Sequence, residues 1–464
     1  MIAAVGKLVI VPALLLALGG ARAAFADANV STGRALTLDE AVALAFERNP
    51  DVRAAAERIG EAQARVGEAT AAFFPQVSTR LAYARTDNPS QAFGMILAQR
   101  RFSFDTDFNN PGPTQDVRPE ITAALPLFHG GQDYERRAAA QLGAEAARWE
   151  QAAVRNALGD AVGAAYYALL AGPQQVEVTR VSIEAVDSAL AQARLRVAAG
   201  AALKSDVLSL DVRLAAAREA HVRAQNGVEL ARTGLRLLLA LPPEAPLEVM
   251  AASDGPEPVL PASFADALEQ ALSKRPEIQA AQSQVSMREH EVKVEKAAYL
   301  PRVNAVASYA QDAPNLELAH RQDNWIVGAT AELDLFSGFQ TRERVRAAER
   351  RLAEARETAR KARLEVERDV KSASLGLEEA RQRAQVTEAA VASGDEALRL
   401  VQEQYRAGAA TITRYLEAEV ARTDARARAI AAGYDARRAE AGLRRALGYW
   451  AAPSPAASTT QDTP

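Results

Sequence analysis

The sequence contains no cysteine. That excludes a disulfide framework, a thiolate metal site and lipid attachment at a cysteine. Aromatic residues are also scarce, 5% against 48% hydrophobic overall, so aliphatic and small side chains carry the apolar content. Charge of one sign is missing too. The 55 Lys and Arg face 59 Asp and Glu, a net charge of −4, which leaves no basic field for nucleic acid. Proline is present but herded. Between Pro126 and Pro242 there is only Pro173, and between Pro314 and Pro453 there is none. Two stretches of more than about 100 residues are therefore almost free of helix breakers, and very long helices are expected there. With 25% charged residues and many aliphatics, the 464-residue chain is folded rather than disordered.

Near the N-terminus Lys7 precedes an apolar run from Leu8 to Leu18, and Ala24-Phe25-Ala26 has the form of a small-residue cleavage site. Residues 1–26 are expected to be a secretory signal peptide, since an 11-residue core is too short to span a bilayer. After it, no segment has 18 consecutive apolar residues, so no membrane-spanning helix is expected.

An internal repeat organises the rest. Ala41, Ala45, Pro50, Pro75, Val77 and Tyr83 recur 226 residues later as Ala267, Ala271, Pro276, Pro301, Val303 and Tyr309. Beyond Ala84 the offset becomes 208: Leu125, Phe128, Gly130, Gly200 and Leu208 recur as Leu333, Phe336, Gly338, Gly408 and Leu416. The single length change is an insertion of 226 − 208 = 18 residues in the first copy, between Ala84 and Leu125. The expected organisation is a first repeat over 27–241, a Pro-rich linker over 242–262, a second repeat over 263–450, and a disordered Pro/Ser/Thr/Ala tail over 451–464.

Each copy has one plan. Thr37-Leu38-Asp39-Glu40 reads as a capping box opening a short helix, and Asn49-Pro50-Asp51 reads as the cap, N1 proline and first-turn acid of a second. After Pro75 the period changes to two. Val77, Leu81 and Tyr83 alternate with Ser78, Arg80 and Ala82, a polar loop runs over Arg85–Pro119, and alternation resumes at Ile121, Ala123 and Leu125. Strands are expected near 76–86, 117–128, 302–311 and 324–335, each the length of a tilted membrane strand. Long helices are expected over 130–198, 204–240, 338–406 and 411–447, the longer pair on the order of 100 Å at ~1.5 Å per residue. Ala171-Gly172-Pro173 interrupts the first of them and is expected to kink or break it.

The fold class is thus mainly α with a small membrane β part, in two structural repeats. Four strands with one apolar face cannot close a barrel alone, and lipid does not tolerate open sheet edges. Two chains give eight strands, a barrel filled by its own side chains; three give twelve and room for a pore. Homotrimers are the smallest assembly expected to conduct, with the long helices continuing the β-barrel as an α-helical barrel. The competing reading is a non-conducting periplasmic helical rod, which has no use for the alternating strands.

Leu125-Pro126-Leu127-Phe128-His129-Gly130-Gly131 at the strand-to-helix turn, its echo Leu333-Asp334-Leu335-Phe336-Ser337-Gly338, the helix-turn-helix tips around Gly200 and Gly408, and the duplication itself resemble the TolC-type outer-membrane efflux proteins over residues 35–450. The resemblance implies a homotrimer in the outer-membrane lipid, a 12-stranded β-barrel continued by an α-helical barrel across the periplasm. It also implies a periplasmic adaptor protein and an inner-membrane transporter as partners. In that family the tips form the closed entrance and the adaptor-docking surface. Docking then falls to Gly200, Ala201 and Leu203 on the first tip and to Gly408, Ala409 and Thr411 on the second. The constriction falls to Ser205, Asp206, Arg414 and Glu417, where Arg414 stands at a position at which the best-known members carry an aspartate. Arg414 and Glu417, three apart on a helix, form a partly self-neutralising pair.

Two bland readings stand beside these: Gly200 and Gly408 as left-handed helix C′ residues, and Asp206 as the cap of the returning helix. His129, His221, His290 and His320 have no ligand spacing, so no metal or other cofactor is expected. No nucleophile–base signature, phosphate loop or nucleotide fingerprint appears, so no enzyme activity is expected. Phe93, Phe102, Phe104 and Phe108 in the long first loop are expected to pack over the barrel mouth.

Overall fold

A computed structural model describes residues 35–250, 260–261, 263–315 and 322–451. The expected signal peptide, residues 251–259 and 262 of the linker, and the tail beyond Ala451 lie outside the described residues.

The short helices start where their caps predict. In α1, Leu38–Arg48, Thr37 and Glu40 form the reciprocal capping box. Asn49 caps α2, Pro50–Ala71, through the Asp51 amide. Strand β1, Gln76–Thr86, leads into an unexpected helix α3, Pro89–Ala98, and strand β2, Thr114–His129, follows. Then come α4, Gln132–Ala198, and α5, Lys204–Leu238. The second half runs α6, Phe264–Lys274; α7, Pro276–Lys296; β3, Arg302–Asp312; β4, Gln322–Glu332; α8, Gln340–Arg406; and α9, Ile412–Ala446. The differences 340 − 132, 406 − 198, 412 − 204 and 446 − 238 are all 208. Both long helices have 67 residues and both returning helices 35. Among the described residues no helix is long and apolar enough to cross a membrane.

The four strands form one antiparallel sheet in the order β1-β2-β3-β4. Both outer edges, on β1 and β4, are unpaired among the described residues. One face carries Val77, Leu81, Tyr83, Ile121, Tyr309, Trp325 and Val327, all of them exposed. The other carries Arg80, Asp116, Arg118, Glu120, Ser308 and Asn324. The helices follow the same lateral order. Near the sheet α2 packs on α4, α4 on α7 and α7 on α8; toward the tips α5 packs on α4, α4 on α9 and α9 on α8. In both halves the outer flanks belong to the first half of the chain on one side and to α8 on the other.

Three apolar clusters tie these layers together. One joins α1, α4, the end of α5 and the segment after α9 through Val42, Val162, Tyr166, Leu235 and Trp450. A second joins α6, α8 and α9 through Ala271, Val366, Val370 and Leu443. The third lies near the tips, where Val186, Leu190, Leu210, Tyr405, Ile412 and Tyr415 meet.

Three expectations need correction. Of the kink or break expected at Pro173, the break is excluded: α4 is helical throughout Gln132–Ala198. Proline removes one amide donor and crowds the preceding turn, but the neighbouring Gly172 sits hard against Val228 of α5, which supports the helix there. The loop over Arg85–Pro119 is not wholly loop: β1 runs to Thr86, β2 starts at Thr114, and α3 lies between them. Finally, β4 stops at Glu332 rather than near 335. Its partner among the described residues, β3, begins at Arg302 opposite Glu332, so Leu333–Leu335 have no described strand to pair with. The matching stretch of β2 stays in the ladder because β3 pairs Phe128 and His129 across a bulge.

Candidate functional site

The two tips are built alike. At the first, α4 closes at Ala198, Gly200 takes φ +72°, and the Ala201 amide donates to the Arg196 carbonyl at 2.8 Å. At the second, α8 closes at Arg406, Gly408 takes φ +77°, and the Ala409 amide donates to the Gln404 carbonyl at 2.8 Å. These are left-handed helix ends that satisfy orphan carbonyls and return the chain in a few residues. The returning helices start differently. Thr411 caps α9 by accepting from the Arg414 amide at 3.3 Å. Leu203 stands at the N-cap of α5 with no side-chain bond, so Asp206 is not the cap; it is a first-turn acid beside Ser205, whose hydroxyl lies 3.4 Å from its carboxylate.

The expected tip residues lie at one end of the helical layer. Gly200, Ala201, Leu203, Ser205, Gly408, Ala409 and Thr411 are exposed, and Asp206 is partly covered. Arg414 and Glu417 are exposed as well, and their charged groups approach only to 4.0 Å, with side chains 69% and 65% exposed. Such a pair is weak and leaves both charges available to solvent.

Just above the tips is a buried network that the sequence reading missed. The Glu419 carboxylate is fully buried. It accepts from the Ser182 hydroxyl of α4, from Thr423 at 2.9 Å, and from the Arg213 guanidinium of α5 at 2.9 and 3.1 Å. Nearer the tip, Arg196 donates to the Tyr405 and Arg406 carbonyls at 3.1 and 2.9 Å, at the negative end of the α8 dipole. Its guanidinium also lies 5.0 Å from the centre of the Tyr405 ring. Tyr405 stacks on Tyr415 at 5.6 Å between centroids. Burial pushes the Tyr415 phenol up, and the Glu419 charge pushes it the same way. Burial raises Tyr405 as well, opposed by Arg196. One coiled pair, α4/α5, is thereby fastened to the other, α8/α9. The signal was legible in part: Ile412, Tyr415 and Glu419 recur at helical spacing, so an acid stands on an apolar stripe.

Among the described residues no group of three or more His, Cys, Asp or Glu could hold a metal ion. His129 contacts Asp133 at 3.0 Å and Asn304 at 2.9 Å, His221 contacts Thr179, and His290 contacts Glu135. His320 lies outside the described residues.

Residues 41–241 and 267–449 match the family model described as Outer membrane efflux protein. Protein CyaE of Bordetella pertussis is 28% identical over 317 residues, which are 68% of this chain and 63% of that protein. The chain thus spans less than two thirds of the length of that relative. The pyoverdine export outer membrane protein OpmQ of Pseudomonas aeruginosa is 24% identical over 415 residues, 89% of this chain and 85% of that one. Among solved structures, CusC superposes with a TM-score of 0.77 at 18% identity, covering 88% of this chain and 91% of its own.

Proposed function

The chain belongs to the outer membrane efflux protein family, and from that membership we propose that three copies close into one periplasm-spanning exit duct. The family is one of non-enzymatic channels, and the protein resides in the cell outer membrane and extends into the periplasm. The observation that carries the trimer is the pair of open flanks. A sheet whose β1 and β4 edges are both unpaired, and whose apolar face is exposed, needs a neighbour on each side before it can sit in lipid. Joining β4 of one copy to β1 of the next is a head-to-tail contact, which either closes a ring or runs on as a filament. Two copies close a barrel packed with its own side chains; three close a 12-stranded barrel with a lumen. The same joining brings α8 of one copy against α2 and α5 of the next, so the helical layer closes with the sheet.

In this reading the two halves are repeats of one unit, and the tips form the periplasmic end. Arg414, Glu417, Ser205 and Asp206 ring the constriction. Gly200, Ala201, Leu203, Gly408, Ala409 and Thr411 dock a periplasmic adaptor, which couples the duct to an inner-membrane transporter. The chain supplies no energy of its own. The entrance opens when partners move one coiled pair past the other, against the contacts of Arg196 and Glu419.

Planar-bilayer conductance tests the duct. The purified assembly should carry current, and replacing both Arg414 and Glu417 by Ala should change it. Membranes that stay silent with the native protein and with this variant would favour the non-conducting rod.

A further inference from the structure

The longer of the two connections at the outer end of the sheet turns inward. Asn88 caps α3 through the Ser90 and Gln91 amides, and the helix ends at Gln99, which is 1% exposed. The Gln99 amide donates to the Gln115 carbonyl at 2.8 Å and to the Asp116 carboxylate at 2.9 Å. Asp116 belongs to the polar face of the sheet, the face opposite Val77, Leu81 and Trp325. Thr114, Ala310 and Asp312 on that same face are buried as well. Arg100, at φ +50°, donates to the Asp323 carbonyl on β4 at 3.1 Å. The segment therefore leaves the β1 edge, crosses the polar face and is fastened at β4. Beyond this anchor Phe93, Phe102 and Phe108 pack with centroids 5.0–5.8 Å apart. Phe104 leans on Phe102 at 5.4 Å yet remains 92% exposed, and Phe108 is 52% exposed.

We propose that this aromatic tip is an interaction surface for its own copies, and that three tips meet on the axis to close the outer mouth of the barrel. The inference rests on the ring of copies proposed above. The polar face of the sheet is the lumen face in such a ring, so lipid does not reach the tip, and among the described residues at that rim the apolar surface facing it is the same tip of the neighbouring copies. Joined β1 and β4 edges bring neighbouring loops to one rim, and the Gln99–Asp116 and Arg100–Asp323 contacts aim each loop inward rather than outward. Apolar side chains facing one another across a narrow lumen exclude water and block ions without filling the whole section. The duct then has two closures in series: charged tips at the periplasmic end and an aromatic plug at the outer end.

The absence of cysteine makes the test clean. Phe104→Cys introduces one thiol per chain at a site whose exposure leaves folding unaffected, and Phe108→Cys serves as a second variant. The assembled protein is treated with a short bismaleimide and run on a denaturing gel, while its copy number is measured separately on the untreated sample. With one thiol per chain, a trimer should yield covalent pairs taking in about two-thirds of the chains. An assembled oligomer with no covalent pairs at either position overturns the plug while leaving the duct standing. A sample found to be monomeric overturns the ring and the plug with it.

Discussion

The guanidinium of Arg213 closes on the fully buried carboxylate of Glu419 at 2.9 Å, from a helix 206 positions earlier in the chain. With Ser182 completing the contact, three helices share one charge, and the two coiled pairs cannot slide past each other without stripping it of its partners. Removing one member of a buried pair leaves the other uncompensated. Glu419→Ala should cost about 2–4 kcal/mol, less than a wholly buried pair because Arg213 keeps 24% of its side chain exposed. Faster amide hydrogen exchange across 182–215 and 412–423 is the expected readout, with the sheet unaffected. Unchanged exchange would show that the apolar cluster alone holds the pairs together.

The stacked tyrosines predict a response to alkali. The phenols of Tyr405 and Tyr415 both stand above their ordinary value of 10.0 in the fold, each chiefly because of burial. Above pH ~10 the unfolded chain therefore loses these protons before the folded one does. Their contribution to stability is complete below pH ~10 and is lost as pH rises through the folded-state values. Proteolytic cleavage near the tips should rise in that window, and Tyr405→Phe with Tyr415→Phe should abolish the dependence.

Gly159 faces the Trp450 ring so closely that an added Cβ would stand 2.5 Å from it. Gly159→Ala forces the indole or the helix to shift, an overpacking cost of about 1–3 kcal/mol, and the indole is expected to move. A lower melting temperature and red-shifted tryptophan emission are expected. A variant with native emission would mean that the helix yields instead.

Arg414 and Glu417 are exposed and only loosely paired, so their charges should act on permeating ions rather than on folding. Arg414→Glu should shift the reversal potential toward cations and leave the folding stability within about 0.5 kcal/mol of native. An unchanged reversal potential would remove these residues from the constriction.

Much of this architecture is legible in the sequence because it depends on local chemistry. The Thr37 and Asn49 caps, the glycines at 200 and 408, and the period-two stretches around Val77 and Ile121 each state a backbone conformation within a few residues. The α3 helix carries the same signal, Asn88-Pro89, as the Asn49-Pro50 start of α2, but a polar-loop reading of that region hides it. The end of β4 could not be read locally, since Leu333 leaves the ladder only because β3 gives it no partner. Pro173 does not end α4, for the opposite reason: helix–helix packing at Gly172 carries the helix through a local breaker. The Glu419 network lies between these cases. The acid on an apolar stripe is visible from spacing, whereas its partners Ser182 and Arg213 are known only once the helices are placed side by side.

The proposed ring of three rests on open flanks of sheet and helices that close by repetition. Native mass spectrometry of the detergent-extracted assembly tests it most directly. One species of three chains is expected, and a stable monomer, a dimer or an open-ended ladder of masses would contradict the ring.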